Sequence, residues 1–122
     1  MIDCSNPVDW QDGPRVREDL QVPETLRRHW VDARLVKAFN TVGSAQVLHP
    51  TVNGQPIDLF LCGDDEEAKE TVSRLGTGLG FHPVDSGPLR NAPLLEHLAV
   101  LLMSLSAHSF RGRSITLKLE AE

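Results

Sequence analysis

An α/β fold is predicted by three features of this 122-residue chain. Residues 57–85 read as strand, helix and strand in succession, the pattern of one parallel crossover unit. A further strand pattern, Leu35–Phe39, precedes that unit. From Pro93 onward a run of leucines recurs at helical spacing.

The elements follow in order. Met1–Cys4 is short for a strand, whose usual length is about 5–6 residues. Ser5-Asn6-Pro7 comes at once, with Pro7 holding Asn6 extended. The expectation is the end of a strand whose beginning lies outside the sequence. Residues 9–22 are rich in Asp, Arg and Gly and read as a loop. Pro23 suits the first helical position, and Glu24–Ala33 is a short helix with Leu26, Trp30 and Ala33 on one side. Thr41–Leu48 is a turn and a short helix. His49–Pro56 is a loop with Asn53-Gly54 as its turn signal.

Ile57–Cys62 is a compact apolar run suited to a buried strand. Asp64 with Glu67 three residues on reads as a capping box. The helix behind it carries Ala68, Val72, Leu75 and Leu79, and Gly76, Gly78 and Gly80 end it. Phe81–Asp85 is the next strand. In the helix from Pro93, Leu94, Leu98, Leu101 and Leu105 form one stripe, widened by Leu95, Ala99 and Leu102. Such a helix is buried on more than one side, by filling the core or by meeting another subunit. Ser114–Leu119 alternates Ile115, Leu117 and Leu119 with Thr116, Lys118 and Glu120, the pattern of a half-exposed edge strand.

The length bounds the chain to one domain, 1–122. Its net charge of −5, with Lys and Arg scattered, argues against nucleic acid as a partner. Two separated cysteines and no leader pattern predict a reducing, cytoplasmic setting. The longest apolar run, Leu98–Met103, is far short of the roughly 20 residues that span a bilayer, so no membrane segment is expected.

Few residues propose covalent chemistry. Asp64–Glu67 is explained by helix capping and the helix dipole. The five histidines lack metal-ligand spacing. Ser104, Ser106 and Ser109 have no nucleophile-elbow setting. The glycine run at 76–80 follows a helix, and no Gly-x-Gly-x-x-Gly follows a strand, so the turn that cradles a dinucleotide pyrophosphate is not in the sequence. No catalytic side chain and no metal site is expected.

VKAFNTV at 36–42, CGDDEEAK at 62–69 and DSGPLRNAPLLEHLA at 85–99, in that order, resemble the NADPH-dependent coenzyme F-420 (deazaflavin) reductases. The fold of that family is shared by the cytoplasmic domains of metal-reducing membrane proteins. IDCSNP at 2–7 resembles the strand and loop that follow the family's nucleotide-binding half, and the likeness is weakest at 9–32 and 46–56. The resemblance implies a truncated Rossmann-like domain. Residues 1–45 would be the remnant of the Rossmann half, and 46–122 the C-terminal substrate and dimerisation part, with its βαβ unit and buried apolar helix.

It also implies the chemistry, a hydride passing between NADP(H) and a deazaflavin. The protein's task is then to hold two flat rings with the reacting carbons within roughly 3–3.5 Å. Asn40, Thr41, Val42 and Ser44 would line the deazaflavin site, Glu96, His97 and Ala99 would complete it, and Asn6 and Pro7 would lie near the nicotinamide. Asn40-Thr41 is equally read as a strand end that caps a helix, and His97 as an exposed helix residue. Without the glycine fingerprint the isolated chain is expected to be incomplete, and a homodimer or a partner chain is implied. Two other readings stand beside this one: a non-catalytic assembly module, and a reductase of another acceptor such as an iron chelate or an imine.

Overall fold

Six consecutive buried residues, Asp58–Gly63, run through the middle of the main sheet. In the computed structural model, which describes residues 1–122, the first elements are β1 (Ile2–Asp3), β2 (Val8–Asp9), β3 (Arg15–Val16), α1 (Val22–His29), β4 (Val36–Ala38) and α2 (Ser44–Leu48). There follow β5 (Thr51–Val52), β6 (Gln55–Pro56), β7 (Asp58–Gly63), α3 (Glu66–Leu79), β8 (His82–Asp85), a 3₁₀ turn at Leu89–Asn91 and α4 (Ala92–Ser109).

The main sheet has the order β1-β4-β7-β8. β1 and β4 are parallel, β4 and β7 antiparallel, and β7 and β8 parallel across α3, as a β-α-β unit requires. Side chains alternate across β7. Leu61 joins Val36, Ala38 and Val72 under α3, whereas Phe60 and Cys62 pack with Ala92 and Leu95 of α4. Ile57, Leu59 and Phe81 form a third cluster, against which Phe39 and Val42 pack. Both faces of the sheet are thus covered, and β7 reads as a continuous apolar run for that reason.

Several local expectations need correction. Asp65, not Asp64, caps α3: its Oδ1 accepts the Ala68 N–H at 2.8 Å. The Asp64 carboxylate instead accepts the Leu89 N–H at 2.9 Å, tying the β7–α3 loop to the 3₁₀ turn. Gly76 and Gly78 lie inside α3, and only Gly80, at φ 102°, ends it. α1 stops at His29, buries none of its residues and leaves Trp30 53% exposed. The loop expected at 9–22 contains β3, which pairs with β2, and Asn53-Gly54 turns a hairpin of β5 and β6. Ser114–Leu119 joins no ladder; its one backbone N–H bonded to a side chain is that of Leu119, which Asp58 accepts at 2.7 Å.

In α4 the face on the core is Ala92, Leu95, Glu96, Ala99 and Leu102. The stripe of Leu94, Leu101 and Leu105 points outward, with Leu94 67% exposed. No helix is long and apolar enough to cross a membrane.

Candidate functional site

The parallel pair β1 and β4 ends in Ser5-Asn6 on one strand and Phe39-Asn40 on the other. Open α/β sheets place ligands beyond such carboxyl ends. Phe39 sits at φ 66°, a left-handed conformation that a bulky side chain adopts only when its surroundings impose it. Its ring packs edge-on to Phe81, with centroids 5.9 Å apart, which fixes the turn and aims the next residue inward.

That residue is Asn40, 5% exposed. Its Nδ2 donates to the Leu95 carbonyl of α4 at 2.9 Å and to Asn6 Oδ1 at 3.0 Å. Asn6 returns a bond from its own Nδ2 to the Asn40 carbonyl at 2.6 Å. Because a carbonyl only accepts, the Leu95 contact fixes which end of the Asn40 amide is nitrogen. Asn40 Oδ1 is therefore left as a buried acceptor with no donor. Such an atom carries an uncompensated desolvation cost of about 1–3 kcal/mol.

Asn40 lines a cavity of about 370 Å³ together with Asn6, Thr41, Val42 and Ala99. It is also lined by Met103 and Ser106 of α4, by Trp10, and by Ser114 and Ile115 of the C-terminal tail. The volume falls within the roughly 300–1,000 Å³ usual for small-molecule sites.

A buried charge cluster ties β1, β4 and α4 together. Lys37 is registered with Asp3 across the β1–β4 pair. Its Nζ donates to Asp3 Oδ2 at 2.9 Å and to the Ser5 carbonyl at 2.8 Å, and stands 3.1 Å from Glu96 Oε2. The side chains of Lys37, Asp3 and Glu96 are 0%, 2% and 5% exposed. The bond to Ser5 draws the strand end toward β4, which places Asn6 against Asn40.

Of the nine residues singled out from the sequence, five meet at this cavity: Asn6, Asn40, Thr41, Val42 and Ala99. Glu96 and His97 do not. They line a separate groove of about 690 Å³ with Arg17, Arg27 and Arg90, beside the start of α4. His97 is exposed and donates from Nδ1 to the Pro93 carbonyl at 2.7 Å. Pro7 is buried, and its carbonyl accepts the Arg17 N–H at 2.7 Å. Ser44 is exposed at the start of α2.

Sequence reasoning passed over Lys37 and Asp3, although a lysine in the middle of an otherwise apolar strand signals a buried counter-charge. Trp10, Met103, Ser106, Ser114 and Ile115 give no such signal.

No protein-family model matches the chain. It is 32% identical over 103 residues to metalloreductase STEAP3 of Rattus norvegicus, a match that covers 84% of this chain and 20% of that protein. It is 33% identical over 89 residues to the F420-dependent NADP reductase of Methanocaldococcus jannaschii, covering 72% of this chain and 40% of that protein. Among solved structures, a proposed F420-dependent NADP-reductase from Arthrobacter sp. FB24 matches with a TM-score of 0.85 at 25% identity, over 98% of this chain and 57% of that one. The chain thus spans less than two thirds of the length of each protein it matches here. Sequence and fold together make it a homologue of the F420-dependent NADP reductases and the STEAP metalloreductases, related to them over part of their length.

Proposed function

We propose that this chain supplies the acceptor side of an NADP(H)-dependent oxidoreductase, and that the cavity beyond β1 and β4 holds the flat ring of coenzyme F-420 against the nicotinamide. The observation that carries the reading is a cavity of about 370 Å³ beyond the paired strand ends, walled in part by Asn40, whose buried Oδ1 has no donor within the chain. A flat ring with polar groups at its edge fits a cavity that sets the Asn6–Asn40 pair beside apolar side chains. Val42, Ala99 and Leu102 give the cavity the apolar surface that a flat ring needs. When bound, the two rings supply the chemistry, a hydride passing between them. The chain's residues orient and exclude water: Asn6 and Asn40 fix the edge of the ring, and the apolar wall keeps solvent from its face.

The residues present fit a ring and offer no cradle for a pyrophosphate, so dinucleotide anchoring is assigned to no residue here. On this reading residues 1–45 are the end of the nucleotide-binding half and 46–122 the substrate and dimerisation part, at work in the cytoplasm. The outward leucine stripe of α4 supports a homodimer or a partner chain.

A second reading keeps the cavity and changes the acceptor to an iron chelate. The match to metalloreductase STEAP3 over 84% of the chain favours it.

The test is a titration of the purified chain with coenzyme F-420, followed by the coenzyme's fluorescence, beside the same titration of Thr41→Trp, which fills the cavity mouth. Saturable binding that the variant loses is the expected result. Equal binding by both proteins, or none by the unaltered chain, overturns the deazaflavin reading.

A further inference from the structure

After α4 the chain turns back across the molecule and is held by side chains instead of a ladder. Ser106 Oγ donates to the Arg113 carbonyl at 2.6 Å and Gln46 Nε2 to the Ile115 carbonyl at 3.3 Å. Lys118 Nζ donates to Asp58 Oδ1 at 2.7 Å and to the Pro56 carbonyl at 3.2 Å. The Leu119 N–H donates to Asp58 Oδ2 at 2.7 Å. Between these anchors, Ser114 and Ile115 form part of the cavity wall. Ser114 also lies against the loop after β4: a Cβ on Gly43 would stand 3.0 Å from its Oγ.

Asp58 is the first residue of β7, and its side chain is closed to solvent. A buried carboxylate needs donors on both oxygens. It has three: His82 Nδ1 at 2.8 Å, Lys118 Nζ and the Leu119 N–H. Two of the three come from the tail. Satisfying Asp58 and seating the tail are therefore one event, although Asp58 does not itself line the cavity.

We propose that Asp58 is a positioning residue. By fastening Lys118 and Leu119 it seats Ser114 and Ile115 as a wall of the cavity, and so fixes the size of ligand that fits beside Asn40. The assignment rests on the ring-binding reading given above. Asp58 does not line the cavity, so it can act there only through the tail residues it fastens.

Two substitutions act from the tail and change no residue of the sheet: Lys118→Met removes the ion pair, and Leu119→Pro removes the amide donor. Asp58→Asn acts from the sheet side. NMR of the whole 122-residue chain would follow the Gly43 amide and the Gln46 side-chain amide, with the amides of Val72 and Leu95 as core controls. Coenzyme F-420 would be titrated in parallel. The expected result for the Lys118→Met, Leu119→Pro double variant is displaced Gly43 and Gln46 signals, unmoved core signals, and a Kd for the coenzyme raised about tenfold. Unmoved Gly43 and Gln46 signals overturn the proposal, and so does an unchanged Kd with the tail released. If the unaltered chain binds no coenzyme F-420, the deazaflavin reading fails, and the Gly43 and Gln46 signals alone decide whether Asp58 seats the wall. Should Asp58→Asn fail to fold, the tail variants carry the test.

Discussion

The Lys37 ammonium of β4 and the Glu96 carboxylate of α4 stand 3.1 Å apart, with the lysine side chain fully closed to solvent. Asp3 meets the same ammonium from β1 at 2.9 Å. One cation thus joins the edge strand, its neighbour and the helix that covers them, and it faces two carboxylates. Breaking such a cluster by removing one member costs far more than the cluster itself contributes, because buried charge is left unpaired.

Lys37→Met is accordingly expected to lower stability by about 3–5 kcal/mol. Adding Asp3→Asn and Glu96→Gln should recover much of that loss, since no charge then remains to be matched. Urea unfolding of the single and triple variants would measure both effects. A single variant within about 1 kcal/mol of the unaltered protein would show that the ionised cluster is not what holds β1 to α4.

Acid should weaken the Asp58 anchor that holds the tail. Burial pushes the Asp58 carboxyl up, but the Leu119 N–H, Lys118 and His82 outweigh it and hold the group below the usual carboxylate range. Asp85 behaves likewise: burial raises it, and the Gly87 N–H and Lys69 bring it below its ordinary value. A carboxyl depressed in the folded state contributes stability that is present above its unfolded value, about 3.9, and is lost as pH falls through the folded one. Melting temperature should therefore hold steady from neutral pH down to about pH 5 and drop at lower pH. The drop should be shallower in Asp58→Asn, and an equal drop in both proteins would remove Asp58 from the account.

Gly76→Ala should destabilise although alanine favours a helix. The added Cβ would stand 2.6 Å from Leu59 Cδ2, and Leu59 is wholly buried between α3 and the sheet. Overpacking of this kind costs typically 1–3 kcal/mol, against a helix-propensity gain of about 1 kcal/mol. A lower denaturation midpoint, partly restored by Leu59→Val, is the expected pattern in chemical unfolding.

The two thiols should behave differently. Burial pushes Cys62 up to about 11, so it stays protonated and screened in the native state. Cys4 is exposed. A chromogenic disulfide reagent at pH 8 should consume one thiol in the folded chain and the second only after denaturant is added. Rapid reaction of both would mean that the β7–α4 contact opens readily.

The strand-helix-strand unit at 57–85 was legible because β7 is apolar on both faces and α3 repeats its apolar positions at helical spacing. The details failed where packing overrules local preference. Gly76 reads as a helix stop, yet its place in α3 is set by how closely Leu59 approaches. Asp64 and Asp65 are the same residue type, and only the position of the 3₁₀ turn decides which one caps. In α4 the side richer in leucine faces outward, and the side that meets the sheet carries Ala92, Ala99 and the Glu96 that pairs with Lys37, so apolar count alone picks the wrong face. Ser114–Leu119 alternates as an edge strand does, but its donors and acceptors go to side chains of other elements. At the site, Asn6 and Asn40 were reachable by likeness of motif. Trp10, Ser106 and Ile115 come from segments far apart in sequence, with no periodicity to betray them.

β1 is two residues long and joins the sheet through two register pairs on one side only. Its register pairs are backed by the buried Asp3–Lys37 ion pair, so the strand and that pair leave the sheet together. It carries Asp3, which neutralises Lys37, and leads into Asn6, which holds Asn40. If β1 is displaced, the ammonium loses a counter-charge and Asn40 loses its Asn6 partner in the same movement. Damage to the Asp3–Lys37 pair should therefore be read twice, as lost stability and as a loosened Asn6–Asn40 wall, although neither charge lines the cavity.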